Sequence, residues 1–67
     1  MEGTSPPIFV DTAEAARLLA LSASHLEKLR FYRDPKGPPY VRLGRAIRYR
    51  IADLEAWATA RVQESKQ

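Results

Sequence analysis

The chain has 67 residues, a net charge of +3, no cysteine and one histidine. One domain fits in that length, with a core small enough to be marginal on its own. Without cysteine there is no disulfide staple and no thiolate metal site, and no apolar run approaches the length that spans a bilayer.

Met1–Pro7 reads as a disordered lead, because Pro6-Pro7 blocks helix and the stretch lacks the basic and apolar regions of a signal peptide. Ile8, Phe9 and Val10 form a short apolar approach. They can act as a hydrophobic staple on the first helix or as a short strand at a sheet edge. The staple is the expected form, with Val10 just before the cap.

Asp11 to Arg30, DTAEAARLLALSASHLEKLR, predicts two short helices joined by a tight turn. Asp11 and Glu14 form an Asp variant of the capping box. Ala15, Ala16, Leu18 and Leu19 give a narrow apolar face at helical spacing. Ser22 is a favoured N-cap for the second helix, in which Leu26 and Leu29 point inward. The turn Leu19-Ala20-Leu21 is so short that the helices must cross steeply, and Ala16 is small enough to let them touch. A left-handed Ala20 there would cost roughly 1 kcal/mol. These features fit a helix-turn-helix, in which the second helix enters the DNA major groove. They also fit a plain helical hairpin in a small core.

Phe31 and Tyr32 are expected to anchor the following loop on the core, with one of them free to stay partly exposed. Asp34-Pro35 and Gly37-Pro38-Pro39 end the second helix and stiffen that loop. In Tyr40–Ile51, YVRLGRAIRYRI, apolar and basic residues alternate, which predicts two strands. Gly44-Arg45-Ala46 is the expected loop, with Gly44 taking a positive φ. Val41, Leu43, Ile47, Tyr49 and Ile51 then share a buried face, and Arg42, Arg48 and Arg50 the other. Three arginines on one face suit phosphate oxygens, or they guard a strand edge against aggregation. Ala52 to about Val62 predicts a last helix with Leu54, Trp57, Ala58 and Val62 inward and Trp57 as a core anchor. Residues 63–67 read as a frayed tail.

Charge is unevenly placed. From His25 to Arg50 eight basic residues face two acids, a net +6, while the rest of the chain carries −3. A basic middle between acidic ends suits a polyanion, although uneven solvated charge gives the same count. Catalysis finds no support: one histidine, no cysteine and no facing carboxylate pair cannot assemble a nucleophile, base and orienter. No metal site, cofactor or small-molecule substrate is expected.

Read together, these residues resemble the small MerR-type winged helices of the excisionase and AlpA-like regulator families. The likeness rests on Asp11-Thr12-Ala13-Glu14-Ala15-Ala16 with Leu18-Leu19, a small residue, an aliphatic residue and Ser22. It continues with Gly37-Pro38-Pro39-Tyr40-Val41-Arg42-Leu43-Gly44-Arg45, then Ile47-Arg48-Tyr49-Arg50, and Asp53-Leu54-Glu55-Ala56-Trp57. It covers Ile8 to Val62, with Ala20 where glycine is usual and Ala52 where serine commonly precedes the acid.

The resemblance implies an α+β, mainly helical fold over residues 8–62: a two-helix helix-turn-helix, a β-hairpin wing and a C-terminal helix. It implies sequence-specific binding of double-stranded DNA. The second helix would read the major groove through Ala23, Ser24, His25, Glu27 and Lys28, with Ala23 on a thymine methyl and Lys28 on guanine. Glu27 would read cytosine or repel a phosphate. Arg42, Arg45 and Arg48 of the wing would lie on phosphates or enter the minor groove, and Arg30 and Arg33 would hold phosphates. About four to six such contacts give a salt slope of about −4 to −5.

The expected role is a small transcriptional regulator or an excisionase-like recombination factor on the cytoplasmic nucleoid. Its partners would be DNA and either a recombinase or integrase or further copies of itself assembled on DNA, with no membrane partner. The other reading keeps the winged-helix shape as a protein-docking module that uses the acidic outer face of the last helix. RNA is disfavoured, since no aromatic platform for single strands is evident.

Overall fold

The computed structural model describes residues 7–65, so residues 1–6 of the expected lead and 66–67 of the expected tail lie outside the described residues. The element order is β1 (Phe9–Val10), α1 (Thr12–Leu19), α2 (Ala23–Phe31), β2 (Val41–Leu43), β3 (Ala46–Arg50) and α3 (Ile51–Ser65). Three helices and one antiparallel three-stranded sheet of order β1-β3-β2 make a small α+β fold. α1 is central, packing on α2, α3 and β3.

The two helix starts follow the capping rules. The backbone N–H of Glu14 donates to the Asp11 carboxylate at 2.9 Å, and that of His25 to the Ser22 hydroxyl at 3.0 Å. The two helix ends also match each other. After α1, Ala20 is left-handed (φ 58°), the Ala20 N–H donates to the Arg17 carbonyl and the Leu21 N–H to the Ala16 carbonyl. After α2, Arg33 is left-handed (φ 52°), the Arg33 N–H donates to the Arg30 carbonyl and the Asp34 N–H to the Leu29 carbonyl. Both are Schellman ends, which usually use glycine because a Cβ is strained there. The chain makes both turns without one.

The buried core is six residues: Val10, Ala15, Ala16, Leu26, Tyr49 and Leu54. Leu19, Leu29, Ile47 and Ile51 close around it. Ala15 and Ala16 lie where α1 meets its neighbours, so backbones approach closely with almost no side chain between them. Leu26 and Leu54, at 1% and 3% exposure, each contribute on the order of 1.5–3 kcal/mol. Leu18, expected on the apolar face, is half-exposed, because the short α1 reaches the core with only its two alanines fully buried.

Several expectations need correcting. Phe9–Val10 is a strand, not a staple alone: it pairs with β3 as Phe9↔Arg50 and Val10↔Tyr49. Backbone pairing explains the choice, since the Ile8 carbonyl also accepts the first N–H of α3, from Ile51, at 2.9 Å. That bond helps cap a helix start lacking Ser or Thr. Ile51 is therefore helical and not the last strand residue. α3 runs on to Ser65, so residues 63–65 are helix and not a frayed tail, and Val62 is 62% exposed.

Trp57 is half-buried and stands outside the core. Its indole N–H donates to the Lys36 carbonyl at 2.9 Å, and the Arg61 guanidinium lies over its ring. It ties α3 to the proline loop, while Tyr49 takes the large aromatic place in the core. That loop is fixed further by Asp34, whose carboxylate accepts from the Lys36 N–H at 2.9 Å. At Gly37 a Cβ would stand 3.0 Å from the Leu29 Cβ, a close approach that the loop needs to lie against α2.

The hairpin differs from expectation by one residue. Leu43 pairs with Ala46, leaving a two-residue loop of Gly44 and Arg45. Gly44 has φ +64° and Arg45 does not, which suits a tight loop with glycine first. The rest of the register is Val41↔Arg48 and Arg42↔Ile47. Because side chains alternate with period two, shortening the loop by one residue reverses the faces of one strand relative to the other. Arg42 therefore shares a face with Ile47 and Tyr49, while Arg48 and Arg50 share the other with Val41 and Leu43. The single all-arginine face does not form.

Candidate nucleic-acid interface

The residues of α2 divide by angle around the helix. Leu26 is buried, and Ala23 and Leu29 are half-buried against the core. Ser24, Glu27, Lys28 and Phe31 form an outward stripe at the i, i+3, i+4, i+7 spacing of one helix face. This stripe forms one wall of a groove. Tyr32 and Arg33 close its end, Arg30 lies in it, and Tyr40 and Arg42 form the wall on the hairpin side.

The inward-facing sheet register produces this wall. Tyr40 stands next to Tyr49, with ring centroids 6.2 Å apart, and Arg42 continues the same face out toward α2. Arg30 is the tie between the two walls. Its Nη1 donates to the Tyr49 hydroxyl at 3.0 Å and to the Thr12 hydroxyl at 3.3 Å, and its guanidinium lies 5.8 Å from the Tyr40 ring centroid. One side chain thus joins α1, α2 and the sheet.

Ion pairing sharpens the charge pattern. Arg17 pairs with Glu14, Arg50 with Asp53 and Arg61 with Glu64. Hydrogen bonding from the arginine pulls the carboxyl of Glu14 below its ordinary range, and likewise that of Asp53. All three pairs lie off the groove. Lys28, Arg33, Arg42 and Arg45 make no ion pair with a described residue. Three acids are thus paired away from the groove, and Lys28, Arg33, Arg42 and Arg45 share their side of the molecule with few acids, Glu27 among them.

The predicted site residues are placed as follows. Ser24, Glu27, Lys28, Arg30, Arg33 and Arg42 come together at the groove. Arg30 does so with one nitrogen already engaged inside the protein, which gives it a structural role. Ala23 is half-buried and packed against the core, since it sits one helical turn before Leu26 on the same side. His25 is exposed on the flank of α2, outside the groove. Arg45 is exposed at the hairpin tip. Arg48 is on the opposite face of the hairpin, half-buried, and its Nη1 donates to the Ile47 carbonyl at 2.8 Å.

Phe31, Tyr32 and Tyr40 line the groove and were not expected there. Far from anchoring the loop, Phe31 and Tyr32 are 78% and 73% exposed. The signal was available for Phe31: it lies seven residues after Ser24 and three after Lys28, on the outward stripe.

Residues 9–62 match the family profile of a helix-turn-helix domain. The chain belongs to that family. The match spans every element from β1 to most of α3. DNA binding by α1 and α2 is what the family supports, and DNA is the partner it supports. No curated protein matches the chain. Among the described residues no helix is long and apolar enough to cross a membrane.

Proposed function

We propose that this helix-turn-helix domain binds double-stranded DNA sequence-specifically, as an excisionase-like winged helix of the MerR type. α2 enters the major groove. Ser24, Glu27 and Lys28 meet base edges, Lys28 donating to guanine and Glu27 accepting from a cytosine amino group. Arg33 and Arg42 hold phosphates at the groove walls, and Arg45 reaches the backbone or the adjacent minor groove from the hairpin tip. Arg30 keeps the walls at a fixed separation and adds its charge. The observation that carries this reading is the gathering of Lys28, Arg30, Arg33 and Arg42 around one groove with Glu27 as its sole acid.

The biological role that follows is a small transcriptional regulator or an excisionase-like recombination factor, acting at the nucleoid. A helix of nine residues reads few bases, so specificity is expected to come from several copies, or from a recombinase bound alongside. The test is selection of bound duplexes from a random pool, with Lys28→Ala and Arg42→Ala run beside the parent. An enriched motif that changes in Lys28→Ala, and persists at lower affinity in Arg42→Ala, is the expected result. No enrichment for the parent refutes sequence-specific binding and favours a protein-docking module.

A further inference from the structure

The aromatic pair at the end of α2 has no part in the core. The rings of Phe31 and Tyr32 meet edge to face, centroids 5.1 Å apart at 86°, with about three-quarters of each residue in solvent. Such an arrangement covers one ring face and leaves the others open. Two adjacent, exposed aromatics are costly for a domain with a core of only six buried hydrophobic residues among those described. Their surroundings are cationic: Lys28, Arg30, Arg33 and Arg42 line the same groove.

An occupant must therefore be apolar and anionic at close intervals. A purely apolar protein surface would strand those cations without water. A stacked base would have to leave the duplex, at a cost of a few kcal/mol. The edge of one DNA strand satisfies both demands, because deoxyribose C–H surface alternates with phosphate along it. Position agrees. In a helix-turn-helix the N-terminal part of the second helix meets base edges, so its last turn, which carries Phe31, comes out at the strand.

Resting on the duplex-binding reading above, we infer that the groove between α2 and the hairpin holds one strand by its sugar–phosphate edge, with Phe31 and Tyr32 packed on deoxyribose as a non-ionic anchor. This contact adds affinity without sequence preference and without counterion release. Its signature is distinct from that of the arginines, each of which contributes about 0.9 to the salt slope.

The experiment measures the affinity of Phe31→Ala, Tyr32→Ala, Phe31→Leu and Arg42→Ala by fluorescence anisotropy over a salt series. The probes are labelled duplexes of the selected motif and of an unrelated sequence. Partial burial of an aromatic side chain predicts that Phe31→Ala and Tyr32→Ala each weaken both duplexes about 5- to 20-fold, with the parent's salt slope. Phe31→Leu loses less, and Arg42→Ala lowers the slope by about 1. Both aromatics are outside the core, so the variants keep the parent's melting temperature. Parent-like affinity in both alanine variants, a loss confined to the selected motif, or a changed salt slope overturns the inference while leaving duplex binding intact. A parent that binds neither duplex refutes the function itself.

Discussion

The left-handed residues that end α1 and α2 allow folding and function to be separated in one experiment. Ala20 (φ 58°) and Arg33 (φ 52°) occupy equivalent Schellman positions, each with the same pair of backbone bonds. A side chain there costs roughly 1–2 kcal/mol relative to glycine. Glycine returns some of that through its larger unfolded-state entropy, roughly 0.5–1 kcal/mol. Ala20→Gly and Arg33→Gly should therefore each stabilise the domain by about 0.5–1 kcal/mol, because both side chains are exposed and remove no packing. For a chain of this size that is a rise in Tm of about 2–8 °C. Urea titration followed by the fluorescence of Trp57, the only tryptophan, gives the same quantity at 25 °C.

The two variants should then part company on DNA. Ala20→Gly keeps the parent's affinity, and Arg33→Gly loses a phosphate contact and about one unit of salt slope. A drop in stability for both variants would refute the strain argument. Full DNA affinity in Arg33→Gly would refute the role of Arg33, and would leave its strained backbone with no functional reason.

Two further outcomes test the scaffold. Tyr49→Phe removes the hydroxyl that accepts from Arg30, leaving a part-buried guanidinium with only the longer bond to Thr12. The expected cost is about 1.5 kcal/mol in urea titration, and a neutral result would mean that Arg30 is satisfied by solvent. Asp53 concerns acid stability. Its carboxyl is held low by its hydrogen bond to Arg50, so its contribution is complete above the unfolded carboxylate value of about 3.9 and disappears as pH falls through the lower folded value. The gap in melting temperature between the parent and Asp53→Asn should be constant above about pH 5 and close in stronger acid. A gap that widens in acid would contradict the ion pair.

The helix-turn-helix was legible because its signals are local. Asp11 and Ser22 each bond to a backbone N–H three residues on, and Leu26 needs only the helical period to be placed inward. Ala20 could be flagged because it stands in the turn where the pattern usually has glycine. The aromatics failed for the opposite reason. Phe31 and Tyr32 were expected to anchor the loop on the core, with one of them free to stay partly exposed, but α2 had already filled its inward side with Ala23, Leu26 and Leu29. What covers an aromatic is a tertiary fact, and so is the exchange by which Tyr49, not Trp57, became the large core residue. Trp57 has a partner for its N–H in the Lys36 carbonyl of the loop, which held it at the rim.

The wing shows how a small local misreading changes a functional surface. Alternation along Tyr40–Ile51 was legible, and so was Gly44 as the turn residue. Loop length was not, because Ala46 suits either a third loop residue or the first residue of a strand. With a three-residue loop, Arg42 and Arg48 would stand opposite each other on one basic face. With the two-residue loop, Arg42 opposes Ile47 instead, and like charges are no longer directly paired across the hairpin. The same shift turns Arg42 toward α2, where Lys28 and Arg33 already stand, and turns Arg48 away onto its own backbone. The basic surface therefore lies between the helix and the wing instead of along the back of the wing. A duplex docked on it meets helix and hairpin at once, and Arg30, bonded to Tyr49 and stacked near Tyr40, fixes the distance between them before DNA arrives. Ordering the two walls in advance lowers the entropy lost on binding.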